Sequence, residues 1–373
     1  MRIHHKNKNY RDEQQMKILA IDIGAGTEDV LLHDNKKSNI ENCIKMVLPS
    51  PCQIYAQKAK SATLQKVDLF VKGDTIGGGP FSSALKRHIE AGFNVYITER
   101  AAYTIRNNLD QVKKMRIKVV SDSEPCNFDG KILVLEEINI NRIGGLLKFF
   151  GDPFSDIDYV AIAVQDHGIF PEEMSNRLFR INKLRELLEK NPRPEAFAFK
   201  ENEIPLCFPR MKSAAEASKR QLPNAQVLVM DTSPDAILGC LMDPAVKDAD
   251  PILAVNVGNG HTMAAIISQD NVIGVLEHHT RLLTPRKIED LLKDFADGKL
   301  SNNEVFEDNG HGMFFLKKPP GYSKIEKVVV TGPNRKILAK TCLQVHFATP
   351  GGDVMMSGPI GLVEATKRKY NLA

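Results

Sequence analysis

The chain has 373 residues, of which 42% are hydrophobic and 26% charged, with a net charge of +4. That is enough apolar material for a large core in two domains or one bilobed unit, and so small a positive excess makes no case for nucleic acid. With no Trp a base-stacking platform is not indicated, and no apolar run approaches the roughly 20 residues that span a bilayer.

The N-terminus, MRIHHKNKNYRDEQQ, is polar and lacks the apolar segment of a secretory signal. Residues 1–15 are expected to be a disordered extension, with His4 and His5 as tail residues, and the expected compartment is the cytoplasm. Six cysteines (Cys43, Cys52, Cys126, Cys207, Cys240 and Cys342) are scattered with no C-x-x-C spacing. They read as small apolar residues. Neither a zinc ribbon nor the closely spaced cysteine triplet of a radical-chemistry iron–sulfur cluster is present.

Residues 16–33, MKILAIDIGAGTEDVLLH, read as a β-hairpin. A strand over 18–21 ends in Asp22, a tight turn follows through Gly24 and Gly26 to Thr27, and a second strand returns over 30–33. Glycines let the backbone bend and let a ligand approach closely. Amides in such a turn can face an anion, and Asp22 at its lip can hold a divalent cation. The plain alternative is a hairpin with a polar tip.

A strand over 43–48 completes a meander. Strands over 67–71, 93–97, 117–120 and 131–135 then alternate with helices over 81–91, 101–115 and 142–150, which argues for an α/β class. The loop Gly73 to Pro80 has the order strand, Gly-rich loop, helix of an anion site. It lacks the Lys-Ser/Thr of a P-loop, and an ordinary turn is the competing reading. Asp74 and Thr75 are its polar groups.

A strand over 159–164 ends in Gln165, Asp166, His167 and Gly168. Gln can position a water, and Asp can take its proton or bind a metal-bound water. A polar turn with a helix cap explains the same residues. Helices are expected over 180–191 and 212–221. A strand over 227–230 runs into Asp231, and a helix follows over 235–242, so capping by Asp231 or Ser233 competes with a functional role.

A second hairpin repeats the first. A strand over 252–255 leads into Asn256, Gly258, Asn259, Gly260, His261 and Thr262, and strands over 263–267 and 272–276 follow. IDIGAGTEDVLL and VNVGNGHTMAAII share a strand, an Asp or Asn, a G-x-G turn, a Thr and a returning strand. Two such elbows can grip one polyphosphate from opposite sides. Further on come a helix over 284–296, a loop over 302–312, and a strand over 327–330 that enters Thr331, Gly332, Pro333 and Asn334. A final helix over 354–369 carries Gly358, Gly361 and Ala365 for close packing.

Together these segments resemble the superfamily of actin, heat-shock chaperone ATPases and sugar or acetate kinases. The resemblance implies an α/β, two-lobed actin-like (ribonuclease H-like) ATPase fold, with mixed sheets flanked by helices, clasping ATP and Mg²⁺. It implies phosphate hairpins at Asp22–Thr27 and Asn256–Thr262, a connecting segment at 230–240 and an adenosine segment at 328–335. The implied division is lobe I over 16–243 with an α/β insertion near 68–150, lobe II over 244–353, and a C-terminal helix over 354–373 packing back on lobe I. More narrowly, IDIGAGTEDVLL, AIAVQDHG and VMMSGPIGL are similar to a prokaryotic family labelled for pyruvate formate-lyase activation. Asn256 departs from the superfamily, which usually has Asp at the second hairpin. Asn supplies no charge and is a poor general base, so metal and base roles fall to Asp22, Asp166 or Asp231.

Three functions follow. The first is a Mg-dependent phosphotransferase or ATPase on a small molecule, with Asp166 as base, Gln165 and Asp231 beside it, and Asp22 and Asp166 as metal carboxylates. The second is a nucleotide-driven switch or assembly protein, for which the resemblance allows a homo-oligomer. The third is a metal-dependent enzyme on a degenerate fold, because His167, His261 and His311 sit beside glycines in loops and three imidazoles can form a zinc or iron site.

Overall fold

The computed structural model describes residues 15–121, 128–152, 154–171 and 173–372. Of the expected N-terminal extension only Gln15 lies among them. β1 (Lys17–Ile23) and β2 (Thr27–Asp34) pair as an antiparallel hairpin, and β3 (Ile44–Pro49) extends the meander. Ile18, Leu19, Ala20 and Ile21 are all fully buried. A sheet covered on both faces needs such a continuous apolar run rather than alternation.

A helix the sequence reading did not anticipate follows, Pro51–Gln65. It starts with Pro in its first turn and ends at Lys66 in the left-handed region (φ 59°). Its buried face is Cys52, Tyr55, Ala56, Ala59 and Ala62. An alanine stripe that narrow, in a polar segment, carries little amphipathic signal.

The insertion is a layer of its own. β4 (Leu69–Gly73), β5 (Val95–Thr98), β6 (Lys118–Val120) and β7 (Lys131–Leu135) form a parallel sheet in the order β6-β5-β4-β7, with a separate apolar core. The helix expected over 101–115 is two short ones, Glu99–Ala102 and Leu109–Lys114. Asn108 caps the second by accepting from the amides of Asp110 and Gln111, the competition with helix expected of Asn. The loops after β4 and β5 leave the carboxyl edge of this sheet, where α/β folds place their ligands.

The chain then returns to lobe I as β8 (Tyr159–Val164), β9 (Ala198–Lys200) and β10 (Gln226–Met230). Lobe II holds β11 (Ile252–Val257), β12 (His261–Ser268), β13 (Asn271–His279), β14 (Gly312–Phe315), β15 (Lys327–Thr331) and β16 (Val345–Phe347). The sheet orders are β3-β2-β1-β8-β10-β9 and β14-β13-β12-β11-β15-β16. In each lobe a hairpin meander is followed by two parallel strands, β8 and β10 beside β1, β15 and β16 beside β11. The lobes therefore repeat one topology, and the fold is the two-lobed, mixed α/β arrangement with flanking helices. β9, β14 and β16 had not been anticipated, being three- or four-residue strands on sheet edges.

Two helices lie between the lobes, Thr232–Leu241 and Ser357–Tyr370, in one apolar core that takes residues from both sheets. The second also packs on β1 and β8, returning to lobe I. Small residues set their distance. A β-carbon on Gly239 would stand 1.7 Å from the Ser357 carbonyl oxygen, and one on Gly361 would stand 1.9 Å from that of Asp235. No helix among the described residues is long and apolar enough to cross a membrane.

Candidate functional site

The two hairpin turns have the same construction. The Gly24 amide donates to the Thr27 carbonyl at 3.0 Å, and the Gly258 amide donates to the His261 carbonyl at 3.0 Å. Position by position, Asp22 matches Asn256, Gly24 matches Gly258, Gly26 matches Gly260 and Thr27 matches His261. The sequence had set Thr27 against Thr262. Thr262 lies one residue further along β12, is buried, and shares a hydrogen bond with the Thr280 hydroxyl at 3.0 Å.

The turns face each other. A β-carbon on Gly26 would stand 2.6 Å from Asn259 Nδ2. Between the lobes lies a cleft of about 960 Å³. Lobe I contributes Asp22, Gly24, Thr27, Gln165 and Asp166 to its wall, and lobe II contributes Asn256, Gly258, Asn259, Gly260, His261, Thr331, Gly332 and Pro333. Asn334 braces the second turn from behind, donating to the Gly258 carbonyl at 3.0 Å. Gly332 has φ 93°, and a β-carbon there would stand 2.5 Å from the Val257 carbonyl oxygen, so only Gly fits this turn. The insertion closes one end of the cleft with Thr75 to Gly79 and Tyr103 to Asn107. Asp74 itself pairs with Arg100 and Arg220, and the Thr75 amide donates to Ser213.

The carboxyl groups divide into two kinds. Asp22 and Asp29 are cross-strand partners on one face of the first hairpin. Asp22 is partly open to the cleft, but its Oδ1 is buried without a partner. Burial first, and then the Asp29 charge, push its pKa well above the ordinary range. Asp235 is fully buried with neither oxygen paired, and burial followed by the Asp22 charge raises it as well. Burial raises Asp29 to about 7. Beyond burial, the Asp29 charge raises Asp22, and the charges of Asp22 and Asp29 raise Asp235, as like charges held close together do.

Asp166 and Asp231 are of the other kind. Asp166 accepts from the Gly168 amide at 2.9 Å, the Arg210 amide at 2.7 Å and the Met211 amide at 3.2 Å. It caps the helix Pro209–Gln221 while lining the cleft. Asp231 accepts from Arg180 at 2.7 and 2.9 Å and caps the helix Thr232–Leu241 at Ser233. Gln165 Nε2 is buried with no partner, so its carboxamide is free to hold a ligand. Arg210, which the sequence reading passed over, lines the cleft, pairs with fully buried Glu137 (Nε to Oε1, 2.7 Å), and donates to the Gln165 carbonyl at 2.8 Å. Asp29, Asp235, Arg210 and Glu137 join the site only in the folded chain. Only Asp29 had a signal, since it lies as far past the turn as Asp22 lies before it.

His167, His261 and His311 come together. Their ring centroids are 5.4 Å (167–261), 5.6 Å (167–311) and 4.6 Å (261–311) apart, and His279 lies 4.8 Å from His311. Burial holds the imidazoles in the neutral form, His261 with a pKa lowered to about 4 and His311 to about 3. Behind them Arg180 bridges Glu277 and Asp231.

The model of the family described as "Putative pyruvate format-lyase activating enzyme (DUF1786)" matches residues 76–337. No curated protein matches the chain. Among solved structures, an exopolyphosphatase-like protein is similar at 12% identity and a TM-score of 0.30, with 86% of this chain and 66% of that one covered. A ROK hexokinase from Thermus thermophilus is similar at 11% identity, TM-score 0.28, covering 96% and 91%. The PilM–PilN type IV pilus biogenesis complex is similar at 11% identity, TM-score 0.39, covering 93% and 98%. The chain thus spans slightly under two thirds of the exopolyphosphatase-like protein. At these scores the likeness is loose, and the fold rests on the repeated strand order.

Proposed function

The chain belongs to that family, and on that premise we propose that its cleft binds a nucleoside triphosphate with Mg²⁺ and transfers or releases the terminal phosphoryl group, with a small molecule or water as acceptor. The observation that carries this is the facing of the two glycine turns, Gly26 against Asn259, beside the unpaired oxygen of Asp22. Asp22 would anchor the cation, which when bound neutralises charge on phosphate oxygens. The turn amides and the Thr27 hydroxyl would hold the phosphates. Thr331, Gly332 and Pro333 would flank the nucleoside. Arg210 places a cation in the cleft wall, and Gln165 Nε2 would orient the acceptor. Asp166, with its oxygens on backbone amides, would position the Gln165–His167 segment and act as base only by giving up part of that cap.

Pyruvate formate-lyase activation, the chemistry of the family description, runs on a cysteine-held iron–sulfur cluster. The donor set does not fit one. Cys43 and Cys240 are buried in the core, Cys52 lies under the first turn, Cys207 is half-buried, and Cys342 is exposed. Among the described residues the group with three metal-ligand side chains is His167, His261 and His311; Cys126 lies outside them.

Calorimetry with MgATP and MgADP on the wild type and Asp22→Ala tests the reading. Binding by the wild type that is lost in the variant is expected. A wild type that binds neither nucleotide sinks it. Binding without phosphate release or transfer would assign the cleft to a conformational switch.

A further inference from the structure

We propose that His167, His261 and His311 form a binding site for one divalent transition-metal ion of the zinc class, set between the lobes with its remaining coordination position turned to the cleft. The three side chains come from the loop after β8, the first residue of β12 and the residue before β14. Their ligand nitrogens all lie within 4.8 Å of one another. His167 and His261 line the cleft. His311 lies behind them, 1% exposed.

His311 supplies the independent observation. Neither of its ring nitrogens has a hydrogen-bond partner. Buried polar groups are normally paired, and an orphan has a cost. A metal ion would take one nitrogen lone pair directly. The other nitrogen, Nδ1, stands 3.4 Å from Glu277 Oε2, where a small ring rotation makes it a donor. A carboxylate behind a ligating imidazole is the usual outer support of a metal site. Glu277 is itself held by Arg180 Nε at 2.8 Å, and Arg180 also binds Asp231. One guanidinium against two carboxylates leaves one net negative charge behind three neutral rings, which favours a cation.

The donors decide the class of ion. Three imidazoles without a carboxylate or thiolate suit zinc, cobalt, nickel or ferrous iron rather than magnesium or calcium. Three protein ligands with a free position are the pattern of a site that takes a further ligand rather than a closed structural site. His261 belongs to the second glycine turn, so that further ligand is an oxygen donor, a water or an oxyanion resting on the turn. A zinc-class ion at ~2.0–2.1 Å from each nitrogen keeps its ligands about 3.3 Å apart, so the rings close inward on loading. His167 and His261, both half-buried at the cleft, are the ones free to do so. The site shares the second turn with the nucleotide reading but does not require it.

The test uses the full chain carrying His4→Ala and His5→Ala, so that the tail cannot bind metal. After chelator treatment it is titrated with Co²⁺ and followed by the ligand-field absorption of the bound ion. We expect saturation at about one ion per chain, displacement by Zn²⁺, and affinity lower by at least about tenfold in His167→Asn or His261→Asn. A chain that takes up no stoichiometric Co²⁺, or uptake unchanged in the double variant His167→Asn/His261→Asn, overturns the proposal. X-ray absorption of the Zn²⁺-loaded chain needs no variant at the site. Imidazole nitrogens at ~2.0–2.1 Å are expected, and a first shell of oxygen alone overturns it.

Discussion

The side-chain amide of Asn259 occupies the space that a β-carbon on Gly26 would fill, 2.6 Å from that position. Each glycine turn thus limits what the other can carry, and the distance between the lobes is registered at their tips. Gly26→Ala should push the Asn259 carboxamide aside and open the turns. Because a side-chain end can yield, the melting temperature should hardly move, while MgATP affinity falls about tenfold, or ~1.4 kcal/mol. Calorimetry checks the affinity, and Gly26→Ala combined with Asn259→Ala should recover part of it.

Burial first, and then the Asp29 charge, make an ionised Asp22 costly in the unliganded protein. Asp22→Asn should stabilise the unliganded chain by about 1–2 kcal/mol and abolish any rise in melting temperature with Mg²⁺ and nucleotide. Thermal denaturation with and without MgATP reads both effects. A variant no more stable than the wild type would count against the buried charge.

The interlobe helices predict a contrast between glycines. In Gly239→Ala the new methyl would meet the Ser357 carbonyl oxygen at 1.7 Å, a backbone clash that no rotamer relieves. Loss of at least about 3 kcal/mol is expected. Gly260→Ala has nothing within 4 Å of the added carbon and should stay within ~1 kcal/mol of the wild type. Urea denaturation compares the two.

Arg180 separates two buried carboxylates, and Arg180→Met would leave both uncompensated. A loss of about 3–5 kcal/mol is expected at neutral pH. Arg180 depresses Glu277 below the usual carboxylate range, although burial acts as the larger, opposing influence. A depressed carboxylate contributes stability above its unfolded pKa of ~4.3 and loses it as pH falls. The difference between variant and wild type should therefore shrink on acidification below about pH 4.3, as denaturation at several pH values would record.

Glu28 has the opposite sign. Burial, and then the charge of Glu137, raise it to about 7. Between its unfolded pKa of ~4.3 and 7 the unfolded chain ionises while the folded chain keeps the proton, so stability falls as pH rises through this window. Glu28→Gln should be indistinguishable from the wild type at pH 4 and more stable by about 3 kcal/mol at pH 8. Equal stability at pH 8 would contradict the raised carboxyl.

Much of this was legible in the residues. The apolar runs that became β1, β8, β10, β11 and β15 announce buried central strands, and the two G-x-G turns announce each other. The spacing of Gly358 and Gly361 announces close helix packing. The helix Pro51–Gln65 was not legible because its buried face, mostly alanine in a polar segment, carries little hydrophobic contrast, and the edge strands β9, β14 and β16 are too short to show an alternation.

The sequence by itself determined which residue types stand at each turn and strand end, since backbone geometry there depends on Gly, Pro and Asn locally. Only the tertiary structure decided their company. It placed Asp166 on a helix's amides, Thr262 on Thr280, Asp235 beside Asp22, and three histidines from distant segments around one point. A side chain's partners come from long-range packing of sheets and helices, and no local pattern carries that information.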